Sequence, residues 1–116
     1  MKIVDPELRK KILEVMGDLD SPRILNAIRE HPKDAQALAT EVGIPLSSTY
    51  RKLGMLREVG LVMVRSFEIT PEGKRQEQLI SAVTEVRIKV DGEQIEVELI
   101  PTRDGANRIW FTLFKS

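Results

Sequence analysis

The chain has 116 residues, 18 Lys+Arg, 18 Asp+Glu, one His and no Cys, for a formal net charge of zero. That length suits one compact domain, or a small domain with an appendage, able to bury a core without disulfides or metal staples. Zero cysteine excludes disulfides, thiolate metal sites and cysteine nucleophiles, and His31 alone supplies neither a His-rich metal site nor a His-based triad. No apolar run approaches the roughly 18 residues of a membrane span. The opening MKIVDPELRKK sets Asp5 and Pro6 where an export signal needs its apolar stretch, so a cytoplasmic location is expected.

Residues 5–19 form an amphipathic pattern in which Leu8, Ile12, Val15 and Leu19 recur at helical spacing, with Leu13 and Met16 alongside. Asp20-Ser21-Pro22 restarts a helix, with an oxygen cap followed by a proline preset for the first turn. That helix carries Ile24, Leu25 and Ile28 and is expected to stop at His31-Pro32, with His31 near its end carbonyls. A short third helix follows Asp34 as cap, turns Ala35, Leu38, Ala39 and Val42 inward, and closes at Gly43.

A fourth helix is expected over 45–59. With Leu53 as centre of its buried face, a rotation of about 100° per residue places Leu46, Thr49 and Leu56 beside it. The same wheel places Ser47, Ser48, Arg51, Lys52 and Met55 outside, and Tyr50 at the edge. Two short strands, 61–64 and 67–70, follow with only Arg65-Ser66 between them. Thr70-Pro71-Glu72 then reads as the cap of a further helix to about Val83.

From Thr84 the period changes to two. Val86, Ile88 and Val90 alternate with charges, as do Ile95, Val97 and Leu99, and Asp91-Gly92 marks the turn. A four-residue loop pairs Val90 with Ile95, Ile88 with Val97, Val86 with Leu99, Lys89 with Glu96 and Arg87 with Glu98. A two-residue loop would instead oppose Glu85 to Glu98. Favourable cross-strand pairs contribute about 0.2–1 kcal/mol each, which selects the longer loop. A last strand is expected over 108–114, apolar on both faces through Ile109, Trp110, Phe111, Leu113 and Phe114, and so in need of cover on both sides.

Helix, helix, glycine-containing turn, polar-faced helix and two strands are the parts of a winged helix-turn-helix. Residues 21–62, SPRILNAIREHPKDAQALATEVGIPLSSTYRKLGMLREVGLV, resemble the DNA-binding domain of ArsR-like transcriptional regulators. Within them TYRKLGMLREVGLV also resembles the recognition helix of TrmB-like archaeal regulators, and FEITPEGK resembles the closing wing strand and following helix of both. The resemblance covers residues 5–83. It implies an α+β fold: a three-helix core and short β-wing, an extra N-terminal helix, and a C-terminal antiparallel sheet. The division is then 1–83 for a DNA-binding domain and 84–116 for an extension that dimerises or packs.

The resemblance further implies a dimeric, sequence-specific double-stranded-DNA-binding regulator of prokaryotic or archaeal type. Its reading helix, 45–59, would enter the major groove, which is wide enough for one helix. Arg51 and Lys52 are the candidates for guanine edges or phosphates, and Ser47 and Ser48 for donors from the helix start. Tyr50 is a packing residue before it is a base contact, and Met55 is plain surface or a methyl contact. Arg57, Arg65, Lys74 and Arg75 are the candidate phosphate contacts, with a structural ion pair the equal alternative for Arg57.

Two departures from the family pattern matter. Pro45 stands where a capping Ser or Asp is usual, so Ser47 is a candidate cap, and the wing is very short. The metal-sensing cysteines are absent, so no metal or cofactor is implied, and a small-molecule effector is an open alternative that no residue pattern supports. A homodimer through helix 5–19, the C-terminal strands, or both would match a palindromic site. The competing reading is a winged-helix module binding protein or RNA, favoured by the short wing and the acidic C-terminal sheet. An enzyme is not expected, because no nucleophile, metal cluster or phosphate loop accompanies the carboxylates. The neutral total divides unevenly: residues 44–75 carry six basic and three acidic side chains, residues 76–104 three basic and seven acidic. A basic segment therefore lies ahead of an acidic appendage.

Overall fold

A computed structural model describes residues 1–107 of the chain. Four helices, α1 (Pro6–Met16), α2 (Asp20–Ala27), α3 (Ala35–Val42) and α4 (Leu46–Glu58), precede four strands, β1 (Val62–Ile69), β2 (Arg75–Ser81), β3 (Val83–Asp91) and β4 (Gln94–Pro101). The strands form two antiparallel pairs, β1–β2 and β3–β4. This is the expected α+β class, a helix-turn-helix followed by a wing and a C-terminal sheet.

The capping residues act largely as the sequence indicates. Asp5 accepts the N–H of Glu7 ahead of Pro6, and Asp34 accepts that of Ala37 at 2.8 Å. Gly43 closes α3 at φ 78°, the left-handed region glycine enters without penalty. Helix α1 stops earlier than the apolar pattern suggests. Gly17 returns its N–H to Leu13 and the chain turns, leaving Leu19 86% exposed instead of in the stripe. Asp18, not Asp20, opens the next helix, accepting the Asp20 N–H at 2.9 Å, so α2 starts ahead of Pro22. Helix α2 also ends before His31. Lys33, not His31, donates to its last carbonyl, Ala27 O.

The largest correction concerns residues 62–81. The expected helix from Thr70 to Val83 is absent, and so is the two-residue wing at Arg65-Ser66. Residues 62–69 are one strand in which Arg65 is the extra residue of a bulge, since Val64 faces Leu79 and Ser66 faces Gln78. Thr70 caps a turn instead of a helix: its hydroxyl accepts the Lys74 N–H at 3.1 Å, and Gly73 (φ 81°) closes the loop. Residues 75–81 then have ladder partners on two sides. Lys33 and Leu79 exchange N–H···O bonds of 3.0 and 2.8 Å on the edge opposite β1, and this tertiary pairing overrides a local helix signal.

The second hairpin has the expected register, with Val90–Ile95, Ile88–Val97, Val86–Leu99, Lys89–Glu96 and Arg87–Glu98 all opposed. Gly92 takes φ 65° at its tip. An unexpected third strand segment lines β4: Ile3 donates to Val97 O at 2.9 Å and Leu99 to Met1 O at 2.8 Å. The expected strand at 108–114, with its aromatic residues, lies outside the described residues.

One core runs through the whole assembly. Ile12, Ile24, Ile28, Leu38, Leu56 and Leu61 are buried together with Ile3, Val97 and Leu99. The two hairpins meet at Ala82, whose N–H donates to Leu61 O and whose carbonyl accepts the Thr102 N–H. Gly105 packs on that carbonyl so closely that a Cβ would overlap it.

Candidate nucleic-acid interface

Helix α4 presents two opposed faces. Thr49, Lys52, Leu53 and Leu56 are buried against the helices before it. Ser47, Tyr50, Arg51, Gly54 and Glu58 are exposed, and Ser48, Met55 and Arg57 are half-buried. The helix begins at Leu46 with Pro45 as its cap and no side-chain cap bond, so Ser47 is a helical residue and not a cap. Thr49 secures this end by donating from its hydroxyl to Pro45 O at 3.0 Å.

Lys52 departs from its expected outward position. Its side chain is only 8% exposed and its ammonium pairs with Asp18, with Asp20 at 3.7 Å. The buried arc is centred between Thr49 and Leu56, rotated by about 50° from Leu53, and that rotation carries Lys52 inside. The pair ties the α1–α2 turn to α4. The Lys52 hydrogen bond, assisted by the Asp20 N–H, holds the Asp18 carboxyl below the usual carboxylate range, and the nearby Arg51 charge adds to this.

The other cations of the basic segment divide in the same way. Arg57 pairs with Glu77 of β2 at 3.3 Å, realising the structural alternative for that residue and joining helix to wing. Arg65 pairs with Asp104 at 2.6 Å, at the bulge and away from the β1–β2 loop. Among the described residues, Arg51, Lys74 and Arg75 have no carboxylate within ion-pair distance. Lys74 lies in the loop of the wing and Arg75 opens β2, with its guanidinium stacked 3.4 Å over the Phe67 ring. Both belong to the wing itself, not to a helix after it. Tyr50, expected at the edge of the buried face, is 61% exposed.

Between α4 and the wing runs an open groove lined by Gln36, Tyr50, Gly54, Arg57, Arg75 and Gln76. Tyr50 and Gly54 of the exposed side of α4 and Arg75 of the wing thus border one concavity. No cluster of His, Cys, Asp or Glu able to hold a metal ion occurs among the described residues, and no helix there is long and apolar enough to cross a membrane.

Sequence reasoning missed two features here. The wing's length was hidden because Thr70-Pro71-Glu72 reads equally as a helix cap and as a turn. The exposed glycine at position 54, in mid-helix, was a visible signal that drew no assignment.

Comparison with known proteins agrees with this architecture. Residues 23–65 match the model of the IclR helix-turn-helix domain, which spans α2, α3 and α4 and enters β1. A solved structure described as a possible transcriptional regulator from Methanosarcina mazei Go1 superposes with a TM-score of 0.51 at 11% identity, over 97% of this chain and 84% of that one. No curated protein matches in sequence. The matched type is IclR and not the ArsR or TrmB type that the sequence resembles. The chain therefore carries a winged helix-turn-helix of the kind found in DNA-binding transcriptional regulators, similar over residues 23–65 to the IclR helix-turn-helix domain.

Proposed function

We propose that this chain is a sequence-specific, dimeric transcriptional regulator that lays α4 in the major groove of duplex DNA and the β1–β2 wing along the adjacent backbone. The observation that carries the reading is the division of α4. Lys52, Thr49, Leu53 and Leu56 lock one side into the core, and the other side offers Ser47, Tyr50 and Arg51 to solvent, with Tyr50 sharing a groove with Arg75 of the wing. A helix fixed on one face and polar on the other is what a groove about 12 Å wide can read. Arg51, with Ser47 and Ser48, is assigned to base edges; Lys74 and Arg75 are assigned to phosphates. Lys52, Arg57 and Arg65 are assigned to positioning, because each has a carboxylate partner within the chain.

Residues 1–83 supply DNA binding in this reading and residues 84–116 the extension. The apolar stripe of α1 is used inside its own chain, with Ile12 and Val15 buried. That moves the proposed dimer contact to the β3–β4 hairpin, where Ile88, Val90 and Ile95 remain exposed. An ArsR- or TrmB-type lineage is the finer part of the same proposal, resting on the resemblance of residues 21–62, of TYRKLGMLREVGLV within them and of FEITPEGK after them.

Selection of bound duplexes from a random pool tests the reading. Enrichment of a palindromic sequence by the wild type, lost or altered in Arg51→Ala, is the expected result, with binding that weakens steeply with salt. Failure to enrich any sequence overturns it. Salt-insensitive binding to a protein or RNA would establish the module reading in its place.

A further inference from the structure

Gly54 stands near the crest of the outward face of α4. At about 100° per residue it lies within about 20° of Ser47, two turns earlier, with Tyr50 about 40° to one side and Arg51 and Glu58 about 60° and about 40° to the other. Nothing among the described residues calls for a glycine there. Its backbone is helical without a positive φ, and an added Cβ would meet no atom of the described residues within 4 Å. A glycine in a helix interior is destabilising relative to alanine, by more than any residue except proline. The position therefore weakens the helix with no return in packing.

The return lies in what approaches from outside. A helix with its side chains is about 10–12 Å across, close to the width of the major groove. Removing the side chain at the crest lets the backbone descend further toward the base edges. Two charges bracket the point. Arg51 lies N-terminal to it, and Glu58, exposed and only 3.8 Å paired to Lys11, lies C-terminal and opposes a phosphate backbone. The N-terminal half of α4 can thus enter the groove with the C-terminal end lifted away, and the helix bears on the DNA at position 54.

We infer that Gly54 is the close-approach point of α4 on its DNA site: its missing side chain sets how deeply Ser47, Tyr50 and Arg51 reach the bases, and so determines specificity. This rests on the DNA-binding reading above. It makes opposite predictions for stability and for binding, which a merely structural glycine does not.

The test uses the full chain and the duplex selected by the wild type, with Gly54→Ala and Gly54→Leu as variants. Both residues favour a helix, so both variants are expected to melt about 2–5 °C higher than the wild type. Affinity for the selected duplex is expected to fall about tenfold with Ala and further with Leu, as the added side chain grows. Affinity for mixed-sequence DNA, which depends on phosphate contacts, is expected to change less than about twofold. If the wild type selects no duplex, the DNA-binding reading fails and this inference with it. If it selects one and both variants bind it equally well, the reading stands and Gly54 is not the contact point. A lower melting temperature in both variants would likewise overturn the inference, by showing that the fold itself requires the glycine.

Discussion

The two hairpins of this protein are built alike and used differently. In β3–β4 the strand charges pair in part: Arg87 bonds Glu85 at 2.7 Å and Glu98 at 3.3 Å, and Glu96 takes Lys2 at 3.0 Å. These contacts hold the Glu85 and Glu96 carboxyls below the usual carboxylate range, chiefly through the hydrogen bonds from Arg87 and Lys2. In β1–β2 the ion pairs tie the base of the wing to the body, through Arg57–Glu77 and Arg65–Asp104, while Lys74 and Arg75 at the far end have no carboxylate partner among the described residues. Burial follows a complementary logic. Val97 and Leu99 of the second hairpin are core, and Ile69 near the wing tip is 69% exposed. The free cations at the wing tip suit an outside polyanion, although the base of the wing joins the core through Val62 and Leu79. The second hairpin buries Val97 and Leu99 and leaves Ile88, Val90 and Ile95 exposed.

Substitutions can break this contrast, and the largest effect is expected in the core of the second hairpin. Leu99→Ala should cost about 3 kcal/mol in urea unfolding, since it empties a fully buried site between Ile3 and the helices. Next is the junction of the hairpins. Gly105→Ala forces a Cβ onto the Ala82 carbonyl and should cost about 2 kcal/mol, or release the 102–107 segment to proteolysis. Lys52→Met should cost about 1 kcal/mol. That is well below the ~3–5 kcal/mol of a fully buried pair, because Asp18 keeps 26% exposure and rehydrates when its partner is removed.

The Asp18 carboxyl is lower in the folded chain than its ordinary value of 3.8. Its contribution is therefore fully present above that value and is lost as pH falls through the depressed folded value. Asp18→Asn should flatten the acid limb of an unfolding profile and leave its slope near neutrality unchanged. For binding, Lys74→Ala should weaken selected and mixed-sequence duplexes alike, by several-fold, and reduce the salt slope by about 1. Arg87→Ala, in the other hairpin, should alter neither. The smallest effect is expected for Ile69→Ala, within about 0.5 kcal/mol of the wild type in the same urea experiment. A large loss there would show that the wing tip carries more of the fold's stability than its exposure indicates.

The amino-acid sequence by itself determined those elements whose signals are local and mutually consistent. Asp34 and Gly43 bound α3 because a capping oxygen and a left-handed glycine act within a few residues of themselves. The β3–β4 register was legible because alternation and opposed charges both reject a slip. The existence and faces of α4 followed from its apolar stripe, with Thr49 and Leu56 inside and Ser47 and Arg51 outside. Tertiary structure decided whatever depended on a distant partner. Residues 75–81 became a strand because Lys33, over forty positions away, offers a ladder edge to Leu79. Lys52 turned inward because Asp18 and Asp20 wait at the α1–α2 turn, a fact no helical wheel contains. Arg57 and Arg65 were assigned to carboxylates for the same reason, and only Arg51, Lys74 and Arg75 of the basic segment kept a free charge among the described residues. Local chemistry writes helices, caps and registers. Which of six cations is left without a carboxylate partner among the described residues is settled by where the rest of the chain places its acidic groups.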